Sequence, residues 1–260
     1  MNDRFRCLAC AVALGAAALS VAGQAYGQET VVSRGDRYRS PKNWAMELHL
    51  GPYRPNIDSE FGNLPEDERP FALYFGDDRR LMARAELDYQ IWNGFGSVGL
   101  GVSVGYTRQS AKAFVEPEPG ALPETRSGDD TKLMLLPTSV SLVYRFDVLA
   151  LRWSLPLVPY AKAGFDWVYW SISNGNGDVA RDAAGNRGRG GTSGYHLAAG
   201  LSILLDVFDP GSAQAFDAET GVNHTYAFAE YRHAVIDGLG SANRLHVGDS
   251  TWSAGLMFEF

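Results

Sequence analysis

The sequence predicts an all-β chain closed into an eight-stranded antiparallel up-and-down transmembrane β-barrel. Three observations lead there. Apolar and polar residues alternate with period two in eight separate stretches, the pattern of strands whose two faces meet different surroundings. Beyond the N-terminal leader, no stretch stays apolar for the roughly 20 residues that a membrane helix needs, so a chain that meets lipid must pair its backbone in a closed sheet. Long and short connections alternate along most of the chain, and the strand count is even.

Residues 1–27 read as a cleaved signal peptide. Arg4 and Arg6 make its charged start, residues 8–22 its Ala-rich apolar core, and Ala25-Tyr26-Gly27 its small-residue cleavage site, so the mature chain is expected to begin at Gln28. Both cysteines, Cys7 and Cys10, fall inside the leader. The mature chain then holds no disulfide, cysteine nucleophile or thiolate metal site, which suits passage through an oxidising compartment. The formal charge is −7 and becomes one unit more negative once Arg4, Arg6 and Asp3 leave. That balance argues against nucleic acid as a partner. Residues 28–42 are a polar periplasmic lead-in, and residues 43–260 form the barrel domain.

Strand one, residues 43–50, sets Trp44, Met46, Leu48 and Leu50 against Ala45, Glu47 and His49. A Pro-, Asp- and Glu-rich connection follows to about residue 80, longer than the roughly 12–15 residues at which structureless loops become uncommon. Strand two, residues 81–92, sets Leu81, Ala83, Ala85, Leu87, Tyr89 and Ile91 against Met82, Arg84, Glu86, Asp88 and Gln90. Asn93-Gly94 suits positive φ and predicts a tight hairpin. Strand three, residues 96–108, alternates Val98, Leu100, Val102, Val104 and Tyr106 with Ser97, Gly99, Gly101, Ser103 and Gly105. Glycine weakens an ordinary strand, so a row of it predicts a face where bulky side chains from across a narrow barrel need room.

After a long connection over residues 109–131, strand four occupies residues 132–147. Met134, Leu136, Thr138, Val140, Leu142, Tyr144 and Phe146 oppose Ser139, Ser141, Val143 and Arg145. Strand five, residues 157–172, sets Ala161, Ala163, Phe165, Trp167 and Tyr169 against Lys162, Gly164 and Asp166. A Gly-, Asn-, Asp- and Arg-rich connection over residues 173–193 leads to strand six, residues 194–206. There Tyr195, Leu197, Ala199, Leu201, Ile203 and Leu205 oppose His196, Ala198, Gly200 and Ser202. Residues 208–221 have room for a short helix. In strand seven, residues 222–234, Glu230 and Arg232 are expected inward, but Tyr226 and Phe228 share their parity; a bulge would reconcile the two. Strand eight, residues 250–260, sets Trp252, Ala254, Leu256, Phe258 and Phe260 against Ser253, Gly255, Met257 and Glu259. Aromatics near strand ends (Trp44, Tyr89, Trp92, Tyr106, Tyr144, Trp170, Trp252 and Phe260) suit interfacial girdles.

A final strand carrying Trp252, Leu256, Phe258 and Phe260 resembles the C-terminal signature of bacterial outer-membrane barrels, which the insertion machinery reads. The mature chain also resembles a family of outer-membrane β-barrel proteins best represented in myxobacteria. The residues that carry this likeness are Gly51-Pro52-Tyr53-Arg54-Pro55-Asn56-Ile57-Asp58, Tyr74-Phe75-Gly76, Phe208-Asp209-Pro210 and Glu230-Tyr231-Arg232, with the terminal Phe260. The resemblance implies a bacterial outer-membrane location and a barrel architecture, with no defined activity. The partners expected are outer-membrane lipid, lipopolysaccharide and the barrel-insertion machinery, with the barrel itself a monomer.

Eight strands enclose a lumen just wide enough for side chains to fill. Parity sends Glu47, Arg84, Glu86, Asp88, Arg145, Lys162, Asp166, Glu230, Arg232 and Glu259 into it. Mixed signs in a confined space predict a paired ionic plug, since an unpaired charge there is costly; a narrow channel is the alternative. A soluble exported barrel with its apolar faces inward, binding a small apolar ligand, is a second alternative.

No catalytic, cofactor or metal residues are expected. None of His49, His196, His224, His233 and His246 is followed two residues later by the Ser that outer-membrane deacylases use. Asp77-Asp78, Asp129-Asp130 and His246 with Asp249 imitate the acid pairs of outer-membrane proteases, but adjacent loop Asp residues are usually turn formers. Neither a Gly-x-Ser-x-Gly elbow nor a His-Glu-x-x-His site occurs. Asn174-Gly175-Asn176-Gly177-Asp178 begins like a calcium loop, yet Val179 and Gly185 stand where that loop needs Gly and Glu. Arg187-Gly188-Arg189-Gly190-Gly191 reads as a flexible solvated loop that could also touch lipopolysaccharide phosphates.

Overall fold

The computed structural model describes residues 43–65, 68–114, 126–153, 155–181, 185–241 and 244–260; the expected signal peptide and lead-in, with Cys7 and Cys10, lie outside them. Eight strands follow in order: β1 (Trp44–Tyr53), β2 (Arg80–Gly94), β3 (Gly96–Phe114), β4 (Arg126–Arg145), β5 (Leu157–Ser173), β6 (Arg189–Leu204), β7 (His224–Val235) and β8 (Asp249–Glu259). Each pairs antiparallel with its sequence neighbour, and β1 pairs with β8, so the sheet closes. The seam runs from Ala45 opposite Glu259 to Leu50 opposite Ala254, and Trp44 and Phe260 exchange two backbone hydrogen bonds of 2.9 Å. Closure satisfies the ladder on both sides of every strand in this zone. No described helix is long and apolar enough to cross a membrane.

Sidedness is inverted relative to a soluble barrel. Leu48, Leu81, Leu100, Val102, Val104, Val140, Leu142, Phe165, Leu197 and Leu256 are exposed on the outer wall, whereas the alternate positions of the same strands are buried. The alternative with apolar faces turned inward is therefore overturned, because the large aliphatic residues of these strands occupy the outward pleat.

One end of the barrel holds Asn43, Phe260 and the links between β2 and β3, β4 and β5, and β6 and β7; we call it the terminal end. The other is the loop end. At the terminal end, Gly94 pairs with Gly96 around Phe95. The positive φ falls at Gly96 (+98°), not in the Asn93-Gly94 dipeptide, because an irregularity between Gln90 and Trp92 shifts the register by one residue before the turn. Short helix α2 (Val148–Trp153) fills the β4–β5 link. Helix α3 (Pro210–Thr220) fills the β6–β7 link. Asp209 caps it by accepting from the Ser212 backbone N–H (3.1 Å) and hydroxyl (2.7 Å), and Pro210 sits at its first turn. Those donors hold the Asp209 carboxyl below the usual carboxylate range. Gly221 ends the helix at φ +76°, where a side chain would be strained.

At the loop end the strands are longer than the sequence pattern indicates. β3 and β4 stay paired through Gln109 opposite Leu133 and Lys112 opposite Asp130, so much of the expected 109–131 connection is hairpin. Arg189, Gly190 and Gly191 likewise belong to β6, paired with Ser171, Trp170 and Tyr169, and are not a free loop. Polar composition hid both extensions: once a strand projects beyond an apolar zone, its outward face no longer alternates in hydropathy. The β1–β2 connection also carries regular structure. It contains a 3₁₀ turn (Ile57–Phe61) and helix α1 (Pro70–Phe75), both packed onto the barrel mouth.

Two facing expectations fail. Tyr226 and Phe228 point inward beside Glu230 and Arg232, with continuous register on both sides of β7 and no bulge. Their rings belong to an apolar layer that closes the lumen at the terminal end. Trp170 is absent from the outward aromatic belt, because it packs against the apolar cluster at the mouth.

Candidate functional site

The lumen is stacked in three layers. At the terminal end Ala45, Val158, Tyr160, Leu204, Tyr226, Phe228 and Met257 form an apolar floor. A second apolar cluster lies at the loop end, built from Tyr53, Ile57, Phe71, Leu133, Leu135, Val168, Ile236 and Val247. The ionic layer lies between them. All ten charged residues expected in the lumen are buried, none more than 9% exposed, with Glu259 set at the terminal end opposite Ala45.

Their pairing follows from which strands face one another. Glu47 on β1 and Glu86 on β2 are register partners, and like charges directly opposite destabilise a sheet. Lys162 reaches over from β5 and bridges them, with Nζ 2.6 Å from Glu47 and 3.0 Å from Glu86. Arg145 on β4 contacts both Glu47 and Asp88. Arg84 donates to Glu230 at 2.6 Å, while Arg232 contacts Asp166. Among the described residues Glu259 makes no ion pair: it accepts from Gln90 Nε2 and from the Tyr226 hydroxyl, each at 3.1 Å. Strands β1, β2, β4, β5 and β7 are thus cross-tied through the lumen. Removing one member of such a buried set leaves a stranded charge, at about 3–5 kcal/mol.

Sequence reasoning left His49 and His196 out of this layer. His49 Nε2 lies 2.9 Å from Glu47, and His196 Nδ1 lies 2.7 Å from Asp166. Both share the inward parity of the acids they touch, which was the available signal. Room for these groups comes from small residues on the neighbouring strand. A Cβ added at Gly101 would stand 2.2 Å from Asp88 Oδ1, and one at Gly200 would stand 2.4 Å from the Tyr160 ring. The crowding at Gly101 thus comes from the adjacent strand, not from across the barrel as the glycine row suggested.

Two arrangements here look chemical. Ser141, His196 and Asp166 run in the order of a nucleophile relay, with Ser141 Oγ 3.2 Å from His196 Nε2. All three are at most 1% exposed, and the cavity that touches Asp166 measures about 30 Å³, room for little more than a water. In this arrangement the three side chains are closed off from any substrate-sized molecule, and His196 and Arg232 both contact Asp166. Glu47, His49 and Glu86 offer ligand atoms within 4.8 Å of one another. Lys162 already supplies the cation between the two carboxylates.

The motif residues at the mouth have a different task. Asp58 caps α1 by accepting from the Phe71 and Ala72 N–H groups (2.7 and 3.1 Å), and Arg54 holds Asp58 (3.1 Å) and Asp77 (2.9 Å). The Tyr53 hydroxyl donates to the Val247 carbonyl, and the Asn56 N–H to the Gly248 carbonyl. Arg126 on β4 donates to the Leu73 and Tyr74 carbonyls at the end of α1 and lies 4.0 Å above the Phe114 ring. The first connection is thereby fastened to both β3–β4 and β7–β8.

On the outer wall, Trp252, Leu256, Phe258 and Phe260 all lie on the outward side. Apolar outward positions on β3 run from Val98 to Tyr106, and the next outward residue is Arg108.

No family model matches the chain, and no curated protein matches it. Among solved structures, the chain is similar to the crystal structure of Neisserial surface protein A (TM-score 0.42, 17% identity, covering 84% of this chain and 96% of that one). It is similar to Ail, the attachment invasion locus protein of Yersinia pestis, in complex with the heparin analogue sucrose octasulfate (TM-score 0.38, 11% identity, covering 85% and 99%). It is also similar to the solid-state NMR structure of outer membrane protein AlkL in DMPC lipid bilayers (TM-score 0.29, 13% identity, covering 92% and 94%).

Proposed function

We propose that the chain is an integral outer-membrane β-barrel with a plugged lumen, acting as a structural or surface-binding protein through its loop end. One observation carries this reading: an apolar wall encloses a charged interior. In water that wall would be a continuous apolar surface far larger than the few hundred Å² that soluble monomers expose. In lipid it is the favoured arrangement, and the interior charges satisfy one another. The nine residues from Val98 to Tyr106 match the roughly 9–11 residues of a tilted membrane strand. With the terminal end in the periplasm, the long connections face outside the cell.

Fractionation and gel mobility test this. The protein should stay with outer membranes after carbonate washing and should migrate differently when heated. Recovery in the soluble periplasmic fraction would sink it. The channel alternative is disfavoured by the two apolar layers and by lumen-side cavities of about 30 and 20 Å³. Purified protein in planar bilayers should give no steady single-channel conductance.

A further inference from the structure

At the rim of the loop end, a cleft of about 470 Å³ opens between the β1–β2 connection and the facing ends of β7 and β8, lined by Arg54, Ser59, Arg79, His233, His246 and Asp249 among others. Its position is set by register. His233 and Ser250 are cross-strand partners on the outward side, one outward pair beyond Tyr231 and Trp252, whose rings lie 5.1 Å apart on the apolar wall. The cleft therefore sits where the apolar wall gives way to polar residues.

Its charges are arranged unevenly. The acids are already occupied: Asp249 accepts from Arg79 (2.8 Å) and from the Arg54 (3.0 Å) and Ser250 (2.8 Å) backbone N–H groups. Asp237 accepts from the Gly240 N–H, and Glu60 from the His246 N–H. Among the described residues, each imidazole is held through one nitrogen, His233 Nδ1 by the Ser250 hydroxyl (2.6 Å) and His246 Nδ1 by the Ser59 hydroxyl (2.9 Å). Arg79 stays 42% exposed while holding Asp249 and the Ser250 carbonyl. Donors from three separate segments thus line one cleft, an arrangement suited to a tetrahedral anion with oxygens pointing several ways.

We propose that this cleft binds a phosphate ester through Arg79, His233 and His246. The proposal rests on the membrane reading above, which sets the cleft at headgroup level. The phosphate can belong to a lipid headgroup of the outer leaflet or to a free phosphorylated molecule. The mature chain in dodecyl maltoside micelles, its folding checked by the heat-dependent gel shift, separates these. Diphosphoryl lipid A added to the micelles is followed by native mass spectrometry, and inorganic phosphate by titration calorimetry. Retention of lipid A without phosphate binding identifies the lipid source; comparable binding of phosphate identifies the free anion. Either supports the site, provided that His233→Ala with His246→Ala weakens binding about ten-fold or more, as loss of charge-assisted hydrogen bonds implies, and that Arg187→Ala does not. In the unmodified protein, the imidazole resonances of both histidines should move on adding the probe that binds, which keeps the test independent of whether the double variant folds. Failure of both probes to bind a barrel that shows the gel shift, or histidine resonances that stay fixed, overturns the site and leaves the membrane reading standing. Loss of the gel shift itself counts against both.

Discussion

The lumen and the mouth of this barrel obey opposite rules. In the lumen, charged groups such as Glu47, Asp88, Asp166 and Glu230 are at most 1% exposed and apolar residues face out. At the mouth, Phe71, Leu133, Leu135 and Val247 are inside, while Arg79, Lys112 and Asp77 lie outside. The same chain reverses its sidedness within a few residues, at Arg108 on β3 and His233 on β7. On the proposed reading, what changes there is the solvent, from hydrocarbon to water. The mouth is built like a small soluble domain seated on a membrane barrel, and its apolar cluster lids the ionic layer beneath.

That contrast can be broken in three places. The largest effect is expected from Arg145→Met, which leaves Glu47 and Asp88 without their shared cation: about 3–5 kcal/mol lost, read from urea unfolding in phospholipid vesicles. A loss under about 1 kcal/mol would mean that the lumen tolerates free charge, and the contrast would dissolve. Next comes a pair on the outward side of β3. Val102→Arg should cost about 2–4 kcal/mol in a bilayer, and Ser110→Arg, beyond Arg108, no more than about 1 kcal/mol. Equal costs would place both positions in the same solvent. The smallest is Asp58→Ala, which strips the cap from α1. About 1 kcal/mol of local stability should go, seen as faster hydrogen exchange at Phe71 and Ala72 with an unchanged global midpoint, because the mouth can open without the barrel.

Much of this was legible in the chain. Parity assigned all ten buried charges to the lumen, since a period of two leaves each residue only two sides to choose from. Parity also held at Tyr226 and Phe228, which share the inward side of Glu230 and Arg232. What failed there was hydropathy, because the lumen changes from ionic to apolar along a single strand, and the bulge invoked to turn the rings outward is not needed. The mouth was illegible for another reason. Pro, Asp and Glu dominate the first connection, but Ile57, Phe61, Phe71 and Phe75 within it are too irregularly spaced to announce a helix or strand. Their burial depends on Leu133, Val168 and Val247, which lie far along the chain.

By itself, the sequence determined how many strands there are, which side of each is apolar, and where the charges go, because those depend on local alternation. Who pairs with whom was decided by the closed sheet. Arg145 meets Glu47 and Asp88, and Lys162 spans Glu47 and Glu86, only because eight registers and the closure of β1 on β8 bring those side chains to one level. A one-residue slip in any register would turn an inward charge outward, so the pairing belongs to the whole barrel and to no single strand.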